Sequence, residues 1–321
     1  MSFQPTTINT VKTILLLTLL SFMTGCPKPV NEINNFATAS ESVFDTSSKA
    51  LNEFKNLSAK YNLYMTVDNE LDATQSMFTD PYKMITANPL NPNDNESVEG
   101  SKRLAADIEK RLKAFSAIKK YAAGIKSLVE ADNTESYSKA ARSVNDSVKD
   151  MQNLISKDSN ASFSAAIGTT VYAAGTIITE KIRFKALKSA VDTAEGPVKE
   201  ISAQIQLDTN DFSSLAVDML NDICEAHIRH YNAMKPKLDM AQKIALLQRI
   251  KPVCQASPKT KEFANDVDKA AKLFASAHAK IQKELNNTKP DFTNARATIE
   301  ELVATGQSIK ETYDDLLKDK K

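Results

Sequence analysis

The sequence predicts an all-α protein, an elongated bundle of long antiparallel amphipathic helices, and three observations carry that expectation. Only seven glycines and no tryptophan occur in 321 residues, so the small-residue turns and large aromatics of a β-rich fold are scarce. Long stretches run without Gly or Pro, as helix interiors require. Apolar residues recur at spacings of three, four or seven, the repeat of a helix with one buried face. No segment alternates apolar and polar residues in the two-residue period of a half-buried strand.

Taken in order, Asn31–Asn35 reads as a polar linker. Phe36, Val43, Phe44, Leu51, Phe54, Leu57 and Tyr61 then mark a first helix, its outer face Ser, Thr, Lys, Asn and Glu. Leu63–Met84 fits either a short helix or irregular chain. Asp80-Pro81 and the Asn/Pro-rich run from Asn88 to Asn95 mark a long loop. Ser97–Ala131 carries the clearest stripe, Leu104, Ile108, Leu112, Phe115, Ile118, Ala122, Ile125 and Val129, which predicts a helix ~50 Å long. Asp132–Glu135 reads as a turn with an N-cap. Tyr137, Ala141, Val144, Val148, Met151 and Ile155 run the chain back as an antiparallel hairpin.

Gly196-Pro197 is expected to interrupt the pattern that follows, and Asp208-Thr209-Asn210-Asp211 to form a loop ending in a cap. Phe212–Met234 then reads as a helix broken at Lys235-Pro236, and Leu238–Ile250 as a shorter one ended by Lys251-Pro252. Phe263, Val267, Ala270, Ala271, Phe274, His278, Ile281 and Leu285 define another long helix after Ser257-Pro258. The run from Asn286 to Asp291 closes it. Ala295, Ile299, Leu302, Val303, Ile309, Tyr313 and Leu316 give the last. Six to eight helices are expected in all.

The N-terminus is of a different kind. Lys12 precedes the apolar run Thr13–Leu20, and Met23-Thr24-Gly25-Cys26 follows. The run is shorter than the ~20 residues of a spanning helix and has the order of a secretory signal. Its exit resembles the lipobox of bacterial lipoproteins, with Met23 where that family prefers Leu. The resemblance covers residues 1–26. It implies cleavage of residues 1–25, lipidation of Cys26, and a tether over residues 26–35 leading to one helical domain over 36–321. Two or three acyl chains at ~0.8 kcal/mol per buried methylene would hold such a protein on a membrane. Pro27 rather than Asp beside the cysteine implies, by the family's sorting rule, an outer-membrane lipoprotein facing the periplasm. The remainder resembles uncharacterised helical-bundle lipoproteins of the bacterial envelope, which supplies a location and a shape but no activity.

In the oxidising envelope that the lipobox implies, the two remaining cysteines, Cys224 and Cys254, are most simply a disulfide. The competing reading is a metal site, because Cys224, His227 and His230 recur every third residue of one helix. They fan over ~120°, and only His278 remains to complete a set. No cofactor or metal is expected. No phosphate-binding glycine loop, H-E-x-x-H or nucleophile-elbow motif occurs. The adjacent acids Glu300-Glu301 and Asp314-Asp315 point apart on a helix. A non-enzymatic protein is expected.

Charge is balanced overall but not locally. Lys12 is the only charged residue of the first 25, so their removal leaves forty basic against forty acidic side chains. Lys102, Arg103, Lys110, Arg111, Lys113, Lys119, Lys120 and Lys126 face only Asp107 and Glu109 in one segment, whereas Asp192–Glu225 is acidic. The basic face either meets acids within the bundle or engages an envelope protein, anionic glycan or lipid. Nucleic acid is not an expected partner outside the cytoplasm. Ser159–Thr179 has no charged residue and reads as a buried central helix or as an insertion element. Two functions therefore stand open, a lipid-anchored binding or scaffold module and a membrane-active, pore-forming-like bundle that inserts residues 159–179.

Overall fold

The apolar stripes become six helices in the computed structural model, which describes residues 30–68, 82, 95–155 and 180–318. They are α1 (Val30–Asp68), α2 (Asn95–Glu130), α3 (Thr134–Ile155), α4 (Glu180–Met234), α5 (Met240–Asn286) and α6 (Thr293–Lys318). A 3₁₀ turn over Lys235–Lys237 joins α4 to α5. There is no strand among the described residues. The signal stretch with Cys26, the Asn/Pro-rich run before Asn95 and the uncharged segment Ser159–Thr179 lie outside the described residues.

Each helix packs on its described neighbour in the chain, and α6 packs on α1, closing the series into a ring. Helices α1 to α3 run antiparallel in turn, as do α4 to α6, whereas α3 and α4 run parallel, because Leu154 and Ile155 at the end of α3 lie level with Ile201 and Asp208 of α4. One end of the bundle holds the start of α1, where Glu32 pairs with Arg296 of α6 and Asn286 of α5 donates to Asp192 of α4. Asn133 caps α3 at that same end by accepting from the Ser136 N–H at 2.9 Å. Among the described helices, α4 and α5 alone reach the other end. Asp239 opens α5 with a capping box, accepting from Gln242 N at 2.8 Å while its own N–H donates to the Gln242 side chain.

The core is aromatic where α1, α2 and α5 meet. Phe36 stacks on Phe274 with ring centres 5.3 Å apart, and Phe44 meets Phe274 edge-on at 5.2 Å and Phe115 at 5.8 Å. Just below, His278 is 1% exposed with Nε2 2.6 Å from the Tyr121 hydroxyl. Burial alone pulls its imidazole down to about 3, so the ring is neutral. Gly124 lets α2 approach α3, because a Cβ there would fall 2.7 Å from Val144 Cγ2 and 3.1 Å from the Val144 backbone nitrogen.

Four boundaries differ from those the sequence suggests, all for one reason. Helix α1 already begins at Val30, because Ile33, Phe36 and Ala37 are buried and draw Asn31–Asn35 into the helix. Gly196-Pro197 does not interrupt α4. Val191, Ala194, Val198, Ile201 and Ile205 keep one buried stripe across it, and that burial outweighs the ~3 kcal/mol that proline costs a helix interior. Asp208–Asp211 is helix rather than loop. Thr209 bonds the Ile205 carbonyl, Asn210 the Gln206 carbonyl, and Asp208 meets Arg111 of α2. Helix α5 likewise passes through Pro252 and Pro258, held by buried Ile250 and Ala264.

Gly196 has no atom within 4 Å of an added Cβ and sits mid-helix. Gly196→Ala is therefore expected to raise urea-unfolding stability by about 0.5–1 kcal/mol. Gly124→Ala should lower it, since Val144 backbone cannot yield. His278 supplies a pH test. Its folded-state value lies below the unfolded 6.5, so the unfolded chain binds the extra proton between about 3 and 6.5. Stability is then complete above pH 6.5 and lost as pH falls toward 3, with a slope of at most ~1.4 kcal/mol per pH unit. Urea midpoints measured from pH 7 to 4 should show this slope, and His278→Gln should flatten it.

Candidate binding site

The helices end at different heights, and that unevenness makes every site on the molecule. Near Arg111 and Asp208, α3 and α6 both run out. Leu154 and Ile155, the last residues of α3, share a cavity wall with Lys110, Arg111, Leu207 and Asp208. Tyr313 and Leu316 lie in the final turns of α6. The bundle thins there from six helices to four. Above Asp222 and His227 it thins again to α4 and α5.

The Arg111–Asp208 pair sits at the first step. The guanidinium presents Nη2 and Nε to the two carboxylate oxygens, and Gln204 donates to Oδ1 at 2.9 Å. The side chains are only 12% and 11% exposed. The basic segment of α2 and the acidic segment of α4 thus meet inside the bundle. Lys119 is similarly spent on Asp45 of α1, whose carboxyl is held below its ordinary value by hydrogen bonds from Lys119 and Lys49. Lys113 pairs with Glu109 on its own helix and Lys120 with Asp150 of α3. Lys102, Arg103 and Lys110 are exposed, and Lys126 is half-buried. The eight cations are therefore not gathered on one free face.

Beside the pair lies a cavity of about 220 Å³ between α1, α2, α4, α5 and α6, open on one side. Phe54, Leu57, Phe115, Phe212 and Phe263 wall it, and small residues such as Ala50, Ala216 and Ala256 leave the space. Water entering it finds few partners.

At the second step, Cys224 and Cys254 stand at disulfide distance, their Cα atoms 5.0 Å apart. The metal set does not assemble: Cys224 faces Cys254, and His278 is buried in the middle of the bundle. His227 instead packs edge-on against Tyr64 of α1, ring centres 4.5 Å apart, and its value is lowered by burial and then by His230. Tyr61 donates to Asp222 at 3.1 Å and is pushed up to about 12, chiefly by burial. The end of α1 and the cysteine pair so brace the base of a two-helix tip.

That tip is apolar and basic. Ile228 (44% exposed), Met240 (72%), Ile244 (50%) and Leu247 (46%) are large apolar side chains left in water. By the 100° helical step they fall on the side of the hairpin that carries the cysteines. Between Glu225 and Val253 there are six cations, Arg229, Lys235, Lys237, Lys243, Arg249 and Lys251, against Glu225 and Asp239. Sequence reading passed over this stretch because its apolar residues look like one more core stripe. The Lys235-Pro236 break was the available signal, since a turn there must be a hairpin end. Among the described residues no helix is long and apolar enough to cross a membrane, and no group of three metal-ligating side chains gathers.

Removing one partner of the buried pair leaves a stranded charge. Arg111→Met is expected to cost about 3 kcal/mol in urea unfolding, and Arg111→Met with Asp208→Leu to recover most of it. Comparison of the chain with protein-family models, with curated proteins and with solved structures finds no match.

Proposed function

We propose that the chain is a lipid-anchored, non-enzymatic binding module of the bacterial envelope, held by Cys26 at the outer membrane on its periplasmic side. In this reading it presents the α4–α5 tip to an acidic surface of another envelope protein. The tip is the observation that carries it. Four large apolar side chains stand exposed among six cations, on a hairpin that no other described helix covers. Chemistry of that kind buries apolar area against a partner while its cations steer the encounter.

The geometry supports an anchor-and-tip arrangement. Cys26 precedes α1 by a few residues, and α1 starts at the end of the bundle opposite the tip. Val30 to Tyr61 along α1, then Asp222 to Lys235 along α4, sum to a reach of ~65 Å at 1.5 Å per residue. The exposed cations of α2, Lys102, Arg103 and Lys110, lie on the four-helix tier, away from the tip.

A photoreactive residue at Met240, Ile244 or Leu247 should give one dominant protein adduct in cells, identified by mass spectrometry. The same probe at Lys110 should give none or little. Cys26→Ser should release the protein from the membrane fraction. Adducts of the tip with lipid alone would favour a membrane-active bundle instead, and an absence of adducts at all three tip positions would reject the tip as the binding surface.

A further inference from the structure

We infer that the cavity between the six-helix and four-helix tiers is a binding site for a single aliphatic chain carrying an uncharged headgroup. Its lining decides the ligand class. The walls are Phe and Leu side chains contributed by all five helices around it, while Ala50, Ala216, Ala256 and Ala264 stand where larger residues would close the space. Three of the hydroxyls that face it are spent on their own helices. Ser47 donates to the Val43 carbonyl at 2.9 Å, Thr209 to Ile205 at 2.6 Å and Thr260 to Ala256 at 2.9 Å. A ligand that needs donors from the wall finds these three already committed.

The lining charges exclude a carboxylate head. They are Arg111, Asp208 and Glu53. Arg111, the cation of the described lining, is held by Asp208, so a fatty-acid carboxylate finds no cation of the wall left to pair with. An alcohol or a monoacylglycerol head has no such conflict and can stay at the open side near Tyr313, whose phenol is held above its ordinary value chiefly by burial.

Size sets the chain. A cavity of ~150 Å³ holds benzene, so about 220 Å³ takes roughly eight to ten carbons. The site owes nothing to the tip, and the two stand or fall separately.

Titration calorimetry of the full-length protein in detergent-free nanodiscs with 1-alkanols from butanol to tetradecanol tests this, empty nanodiscs being subtracted. Affinity should rise about fourfold for each added methylene and level off near decanol. Ala256→Leu, at the half-exposed edge of the cavity, should weaken decanol at least tenfold, and Ala105→Leu, on the exposed face of α2, should leave it unchanged. If Ala256→Leu lowers the helical circular-dichroism signal, Ser213→Leu replaces it. Decanoate at pH 8 should bind at least tenfold more weakly than decanol. Binding that ignores chain length, or that survives both leucine variants, would overturn the site. Decanoate equal to decanol would overturn the uncharged headgroup.

Discussion

Helices packed side by side bury their apolar stripes only as far as their neighbours extend, and in this chain the neighbours stop at three heights. Helix α4 has 55 residues and α5 has 47, whereas α3 has 22 and α6 has 26. The long pair must outrun the others at one end or both. Near the start of α1 lie the α2–α3 and α5–α6 turns with the Asn133 cap, and the aromatic core of Phe36, Phe44 and Phe274 is complete. Toward the other end each lost helix uncovers a face. The buried ion pair, the cavity and the bare hairpin are the successive consequences of that one mismatch.

Burial also explains how polar residues are used. A carboxylate and a guanidinium at 11% and 12% exposure tolerate each other only as a pair, Nη2 donating to Oδ1 and Gln204 adding a second donor to that oxygen. Such a pair adds little net stability but fixes register, because a slip of α2 against α4 would strand both charges. Lys119 with Asp45 links α2 to α1, and Arg296 with Glu32 links α6 to α1, but these pairs are partly exposed and hold register less firmly. Of the basic segment of α2 and the acidic segment of α4, Arg111 and Asp208 are the pair that meets inside the bundle.

The fold class and most helices were legible, because a stripe repeated over thirty residues leaves little choice of structure. The errors came at short-range signals. Gly196-Pro197, Pro252 and the Asp208–Asp211 quartet each carry a true local preference for ending a helix, worth a few kcal/mol at most. A continuous buried stripe on either side is worth more, and only the partner helices reveal it. The cation at position 111 was visible as a charge, but its partner was assigned to a turn, so the pair could not be seen. The cavity was beyond sequence reading altogether, since it is made by small residues on five helices that no spacing rule connects. Cys224 and Cys254 were the opposite case. Two cysteines flanking one Lys-Pro break point at each other from the chain alone.

The cysteine pair ties the architecture to a compartment. Beyond His227 no third described helix flanks the hairpin, and an isolated two-helix tip buries too little to hold its own register. Its base is braced by α1, through Tyr61 on Asp222 and Tyr64 on His227 among other contacts. A cross-link closing a loop of 30 residues supplies the missing constraint, on the order of 2–4 kcal/mol. It can do so only where thiols are oxidised. In the proposed reading, that bond would keep the tip ordered while Ile228, Met240, Ile244 and Leu247 stay exposed, and an N-terminal export signal would supply the oxidising surrounding. The proposed anchor and the bare tip, though at opposite ends of the bundle, are joined by that requirement.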